Sequence, residues 1–143
     1  MRKANLKDIE EIVNLSLLLF SSNDYKSLKK EIESILVSDT SDIFLAFQDN
    51  KAIGFSQCSM RNEYVEGTST SPVGYLEGVY VKNNYRNLGI AKKSVNCCEE
   101  WAKEQGAKEF ASDCDLNNEV SFMFHLKLGF LEANRIICFK KEL

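Results

Sequence analysis

Apolar residues fall at helical spacing twice near the start of the chain. Ile9, Ile12, Val13, Leu17 and Phe20 recur every three to four positions, and Leu28, Ile32, Ile35 and Leu36 do so again. Two amphipathic helices follow from that spacing. Asn5 with Asp8 three residues on supplies a start signal for the first, and Ser21 to Asp24 (SSND) breaks it from the second. The period then changes. Asp42 to Gln48 (DIFLAFQ) and Ala52 to Arg61 (AIGFSQCSMR) are apolar-rich runs joined by Asp49-Asn50-Lys51, a hairpin signal. A polar loop (NEYVEGTSTSP) leads to the single proline, Pro72, and Gly74 to Val81 (GYLEGVYV) reads as the next strand. Helical spacing returns from Gly89 to Gln105, closed by Gly106. Glu109 to Asp113 is then a short strand, Asn117 to Leu128 a helix closed by Gly129, and Leu131 to Phe139 a last strand. With a strand stub at Arg2 to Ala4, the order is β-α-α-β-β-β-α-β-α-β. It predicts an α/β (α+β) fold: a mixed, mostly antiparallel sheet with helices on both faces.

Nothing in the sequence repeats, and no stretch is rich enough in proline or glycine to be a linker. The 143 residues suit one domain, 1–143, with a real core. A net charge of −3 argues against nucleic acid as a general partner and is compatible with a cationic ligand. Five cysteines without a C-x-x-C pair, beside one histidine, argue against structural zinc and for free thiols in a reducing compartment. The N-terminus is charged within a few residues, and no apolar run approaches the roughly 20 residues that cross a bilayer. The expectation is a soluble cytoplasmic protein that binds no metal.

Candidate chemistry concentrates after Val81. Arg86-Asn87-Leu88-Gly89-Ile90-Ala91 lies where the longest helix begins. A helix N-terminus offers free N–H donors and the positive end of the dipole to a phosphate. Gly89 would let the backbone approach a pyrophosphate, Ala91 keeps the next position small, and Arg86 adds a charge-assisted contact. The plainer reading is a loop-to-helix junction. No Walker or dinucleotide fingerprint is present. Glu77 stands inside an apolar strand, between Leu76 and Gly78, where an acid is costly unless paired or solvated. An edge-strand acid facing water is the alternative. Asp113 ends a short strand ahead of a helix, as a ligand-facing acid or as a turn or cap residue, with Asp115 competing for the latter. His125, one turn before Gly129, and Tyr64, in the polar loop, each have an ordinary packing role as their alternative. Val95, Trp101 and Ala102 read as the buried face of their helix. Cys97 and Cys98 read as inert, and Cys114 has no paired base.

Asn118, Ser121, His125 and Leu128-Gly129-Phe130 complete a pattern with Arg86 to Ala91. Together these segments resemble the GCN5-related N-acetyltransferase (GNAT) superfamily, and the resemblance covers nearly the whole chain. Its R/Q-x-x-G-x-G/A loop matches Arg86 to Ala91, and its N-x-x-A-x-x-x-Y-x-x-x-G-F pattern maps on Asn118, Ser121, His125, Gly129 and Phe130. The resemblance implies acetyl-CoA as co-substrate, held by Arg86, Asn87, Leu88, Gly89, Ile90 and Ala91, with Asn118 near the pantetheine arm. It also implies that backbone N–H groups of Val79 or Val81 polarise the thioester carbonyl. His125 falls where many members have a tyrosine that protonates the leaving thiolate.

The segments NEYVEGTSTSPVGYLEGVYV, EFASDC and LGF-E-x-x-R look like the single-domain aminoglycoside 6′-N-acetyltransferases. The resemblance implies that Tyr64, Glu77 and Asp113 border the antibiotic pocket. Phe20 stands where that group often has tryptophan, and Ser69-Thr70 and Asn134 stand where it tends to have acids. These departures reduce the negative charge around the substrate. Direct transfer in a ternary complex and a homodimer are further implications. An aminoglycoside amine, like lysine, arrives mostly protonated. Glu77 is then the expected proton acceptor and Asp113 the anchor for other ammonium groups, although a carboxylate beside an ammonium serves either role. Two other functions fit less well. The 6′-type loop signature argues against an acetyltransferase of a polyamine, small amine or protein amino group without excluding it. A silent acyl-CoA sensor would not need both Glu77 and Asp113.

Overall fold

The computed structural model describes residues 1–20 and 24–143. The predicted break at Ser21 to Asn23 lies outside the described residues, but Asp24 caps the next helix by accepting from the N–H groups of Lys26 and Ser27. The elements are β1 (Arg2–Lys3), a 3₁₀ turn (Leu6–Asp8), α1 (Ile9–Leu19), α2 (Tyr25–Leu36), β2 (Ser41–Gln48), β3 (Lys51–Arg61) and β4 (Val73–Val81). A second 3₁₀ turn (Asn83–Tyr85), α3 (Ile90–Glu104), β5 (Phe110–Ala111) and α4 (Glu119–Leu128) follow. The start signal is a capping box: the Asn5 side chain takes the Lys7 N–H, and the Asp8 carboxylate takes the Asn5 N–H. Asp8 is buried and also receives both arms of Arg2 at 2.7 and 2.8 Å. That ion pair ties the first residues to the start of α1 and pulls the Asp8 carboxyl below its usual range.

The five strands lie in chain order β1-β2-β3-β4-β5, antiparallel except for the β4–β5 pair. Asp49 and Asn50 both adopt positive φ, so the β2–β3 hairpin closes with Gln48 paired to Lys51. Lys3 forms an ion pair with buried Asp42, tying β1 to β2. One face of the sheet carries Ile43, Leu45 and Phe55 against Ile12, Val13, Leu15, Leu28 and Ile32 of α1 and α2. The other carries Phe44, Cys58 and Leu76 against Val95, Cys98, Trp101 and Ala102 of α3. Helices on both faces of a mostly antiparallel sheet are what the element order predicts.

β4 departs from regular pairing at one place. Gln57 pairs with Gly78 and Cys58 with Leu76, which leaves Glu77 as the extra residue of a β-bulge. The bulge resets the alternation, so that Leu76 and Val79, three apart, both pack towards α3. Glu77 and Gly78 in turn face the α1 side. A Cβ on Gly78 would come within 3.2 Å of the Phe20 ring and 3.3 Å of Leu19. The glycine therefore lets the end of α1 sit directly on the strand beside Glu77.

The chain's end differs from expectation. Leu131 to Phe139, predicted as a strand, joins no ladder, and residues 130–143 have no regular structure. Leu131, Ile137 and Phe139 are more than four-fifths exposed. The apolar pattern is real, but among the described residues no strand of the same chain lies alongside to satisfy it. α4 likewise begins later than predicted: Asn118, not Asp115, is its cap, with the Asn118 side chain accepting from the Ser121 N–H at 3.0 Å.

Candidate active site

β4 and β5 pair in parallel only at Gly74–Phe110 and Tyr75–Ala111, so from Leu76 onward this edge of β4 has no partner strand. Ser112 covers the Leu76 carbonyl, donating to it at 3.1 Å. On the other side, the Lys82 N–H donates across to the Ile53 carbonyl of β3 at 2.9 Å. Successive N–H groups alternate sides in an antiparallel pair. The N–H groups of Val81 and Val79 therefore point to the open edge, as a carbonyl-polarising role would require.

The turn after this edge has the geometry of an anion cradle. Asn87 (φ 62°) and Gly89 (φ 75°) are both left-handed, and Gly89 is the residue before α3. The first i→i+4 bond of the helix is Lys93 N–H to Gly89 O, which leaves the N–H groups of Ile90, Ala91 and Lys92 without an intrahelical acceptor. A Cβ on Gly89 would meet nothing within 4 Å. Its backbone conformation demands glycine, and the space over it is open to a ligand. Arg86 is exposed, with its Nε donating to the Val81 carbonyl at 3.0 Å, which anchors the guanidinium at the mouth of the open edge. Arg86, Asn87, Leu88, Gly89, Ile90 and Ala91 thus form one continuous surface beside Val79 and Val81. Asn118 is exposed as well, but its side-chain oxygen is committed to the α4 cap.

The carboxylates lie on the α1 face. Glu77 keeps 26% of its side-chain exposure and is not free. Its Oε1 accepts from Ser59 Oγ at 2.5 Å and from Arg61 Nη2 at 3.0 Å, and its Oε2 accepts from Arg61 Nη2 at 2.9 Å. The Arg61 guanidinium lies 3.3 Å over the ring of buried Tyr75, and the Tyr75 hydroxyl donates to Asp113. Burial, and then the neighbouring Asp113, push the Tyr75 phenol far above its usual range, so it stays a donor. Glu77 and Asp113 are thereby joined through Arg61 and Tyr75, and Phe20 closes over Gly78 beside them.

The polar loop is pinned from two directions. The Glu109 carboxylate accepts from the backbone N–H groups of Ser69 (2.9 Å) and Thr70 (2.7 Å) and from the Thr70 hydroxyl (2.5 Å). These bonds hold its pKa below the usual carboxylate range. The acid absent at positions 69 and 70 is thus supplied from before β5, with one of its oxygens, Oε2, taking all of these bonds. Tyr64, 81% exposed, donates to Glu66 at 2.7 Å, and Asn134 donates to the same carboxylate at 2.9 Å. Tyr64 is therefore presented outward at the loop's tip.

His125 is held on both ring nitrogens. Nδ1 lies 2.7 Å from the Ser121 carbonyl and so carries a proton, and Nε2 lies 3.0 Å from Ser112 Oγ, whose one proton is shared between this nitrogen and the Leu76 carbonyl. The ring packs edge-on to Phe130 at 5.3 Å. Its visible work is to tie α4 to Ser112 and, through it, to the Leu76 carbonyl at the opening of the sheet. Cys58 and Cys98 are buried, and the pKa of Cys58 is raised by the adjoining Cys98 thiol and by burial, so it is no nucleophile. A separate cavity of about 120 Å³, lined by Glu11, Asn14, Leu15, Leu18, Ala52 and Lys82, includes none of these residues. Among the described residues no three His, Cys, Asp or Glu side chains cluster as metal ligands.

Sequence reasoning missed Ser59, Arg61, Tyr75 and Glu109. The Glu77 bulge carried a signal: the apolar positions 76, 79 and 81 break strand parity. The cross-strand partners did not, because they depend on register.

An open parallel-strand edge leading to a glycine turn at a helix N-terminus, with acids on the neighbouring face, is an acyl-CoA transferase arrangement. The model of the acetyltransferase (GNAT) family matches residues 9–130, and the chain belongs to that family. Its relatives narrow the class. The chain is 39% identical over 141 residues to the aminoglycoside N(6′)-acetyltransferase type 1 of Acinetobacter haemolyticus, covering 99% of this chain and 94% of that protein. It is 43% identical over 132 residues to the enzyme of the same name from Acinetobacter genomosp. 13, covering 92% and 90%. Among solved structures, AAC(6′)-Iy in complex with the bisubstrate analogue CoA-S-monomethyl-acetylneamine matches with a TM-score of 0.96 at 34% identity, over 99% of this chain and 97% of that one.

Proposed function

We propose that this chain, an acetyl-CoA-dependent aminoglycoside 6′-N-acetyltransferase, works as a single domain that transfers the acetyl group directly in a ternary complex. The observation that carries this reading is the character of β4. Its open edge runs from Leu76 to the Arg86–Ala91 turn, while its bulged residue, Glu77, looks to the adjoining α1 face. Donor and acceptor can thus approach one strand from two sides.

Acetyl-CoA supplies an acetyl thioester. The N–H groups at Leu88 to Ala91, with Arg86, hold its pyrophosphate. The Val79 and Val81 N–H groups donate to the carbonyl oxygen on which negative charge develops. On the α1 face, Glu77 accepts the proton of the 6′-ammonium, directly or through a water; the neutral amine attacks the carbonyl carbon, the C–S bond breaks, and CoA leaves as the thiol with the proton that the new amide nitrogen gives up. Asp113 anchors a second ammonium group. Tyr64 and Phe20 offer aromatic surface to the sugar rings. His125 fixes α4 and Ser112 at the opening rather than facing the reaction with a free nitrogen.

The working unit is a homodimer. Leu131, Ile137 and Phe139 on the C-terminal segment, and Val120 and Met123 on α4, together expose apolar surface that a second copy would cover. The compartment is the cytoplasm, which suits five free cysteines; no helix among the described residues is long and apolar enough to cross a membrane. The net charge of −3 suits a polycationic substrate rather than nucleic acid. Steady-state acetylation of kanamycin- and gentamicin-type aminoglycosides beside spermidine tests the reading. It requires turnover of aminoglycosides that carry a 6′-amine and little with spermidine. Preference for the polyamine would overturn it.

A further inference from the structure

The Arg61–Glu77 pair belongs to the candidate site and has no role in the chemistry above. Arg61 engages both oxygens of the carboxylate, at 2.9 and 3.0 Å, in a cleft meant for a cation. It has a platform of its own, the face of Tyr75, at 3.3 Å. With Glu77 and Asp113 each carrying −1 and Arg61 +1, the local charge is −1 rather than −2. An ammonium group arriving at Glu77 meets a guanidinium already there. Both partners remain partly exposed, Glu77 at 26% and Arg61 at 40%, so the pair can part without leaving a dry, uncompensated charge.

We infer that Arg61 is the built-in counter-ion of Glu77, which the substrate ammonium displaces on binding, and that it thereby sets the affinity of the site for cations. The inference rests on the proposed place of the amine at Glu77. In the substrate-free protein Arg61 keeps the bulge carboxylate in one rotamer through a fork of hydrogen bonds. On binding, the guanidinium withdraws over Tyr75, still stabilised by the ring, and the ammonium takes its hydrogen bonds. The energy of the displaced pair is subtracted from substrate binding. Arg61 is thus a specificity-determining residue that weakens the grip on any cation reaching Glu77. It does not act on acetyl-CoA.

The test is calorimetric binding of kanamycin to the unaltered protein, Arg61→Gln, Arg61→Lys and the double variant Arg61→Gln/Glu77→Gln. Removing the part-exposed ion pair that binding must break predicts a kanamycin Kd lowered about 2- to 5-fold in Arg61→Gln. The salt dependence of binding should steepen too, because the cleft gains net negative charge. Arg61→Lys, which keeps the charge, should stay near the unaltered value. In the Glu77→Gln background the Arg61→Gln gain should vanish. A Kd in Arg61→Gln that is unchanged or higher, with Tm retained, would overturn the proposal and leave Arg61 a positioning residue. A gain that persists without Glu77 would overturn it as well. Absence of kanamycin binding to the unaltered protein would instead overturn the substrate reading on which the proposal rests.

Discussion

Replacing Glu77 by glutamine separates its structural from its chemical work. The side chain keeps its size and one acceptor oxygen but loses its charge and its capacity to take a proton. The carboxylate accepts bonds from Ser59 and Arg61 at 2.5 to 3.0 Å, which in a buried setting would be worth about 1.5 to 3 kcal/mol each. Here the side chains are 26% and 40% exposed, so water screens the pair and its net worth falls to about 0.5–1 kcal/mol. A loss of that size lowers Tm by only about 2–4 °C in a domain of this length. The kinetic effect of removing a general base is larger: about 100-fold in kcat, or ~2.7 kcal/mol of barrier. The assay is steady-state acetylation of kanamycin, with Tm measured on the same sample. Proton acceptance by Glu77 predicts that kcat and kcat/KM fall together while the fold persists. A near-normal kcat with a raised kanamycin KM would refute that role, make Glu77 the anchor and move the base to Asp113.

Two further outcomes follow from the turn and the loop. Arg86→Ala should raise the acetyl-CoA KM about tenfold, the size of one charge-assisted phosphate contact, and leave the kanamycin KM alone; an unchanged acetyl-CoA KM removes Arg86 from the phosphate site. Glu109→Gln weakens the clamp on Ser69 and Thr70 and should raise the kanamycin KM several-fold with acetyl-CoA binding intact. Because the folded Glu109 pKa is depressed, the clamp is fully present above about pH 4.3, the ordinary glutamate value, and is lost as pH falls through the lower folded value. Protease cleavage in the loop should therefore rise on acidification in the unaltered protein but start high and vary less in Glu109→Gln. Equal cleavage in both at neutral pH would dismiss the clamp.

What the sequence disclosed was whatever local chemistry encodes. The Asn5–Asp8 box, the Asp49–Asn50 turn and the glycine turn before α3 each carry their signal in consecutive residues, and each stands where expected. Glu77 announced itself by its cost, as an acid among apolar neighbours. Its partner did not. Arg61 reaches Glu77 only because the bulge shifts the β3–β4 register, and register is a property of two strands at once. Glu109 clamps a loop some forty residues away in sequence, with nothing local to mark it. The segment from Leu131 to Phe139 shows the opposite limit: its apolar pattern was legible, but among the described residues no strand lies alongside to cover it.

We propose that donor and acceptor meet at β4, with phosphates on the Arg86–Ala91 turn and the 6′-amine at Glu77. The most direct measurement is a crystal structure of the protein with a conjugate of CoA and the 6′-nitrogen of neamine. Pyrophosphate oxygens are expected within hydrogen-bond distance of the Leu88 to Ala91 N–H groups, and the 6′-nitrogen beside Glu77, with the Arg61 guanidinium drawn off the carboxylate. A pyrophosphate bound away from that turn, or a 6′-nitrogen on the far face of β4 from Glu77, would contradict it.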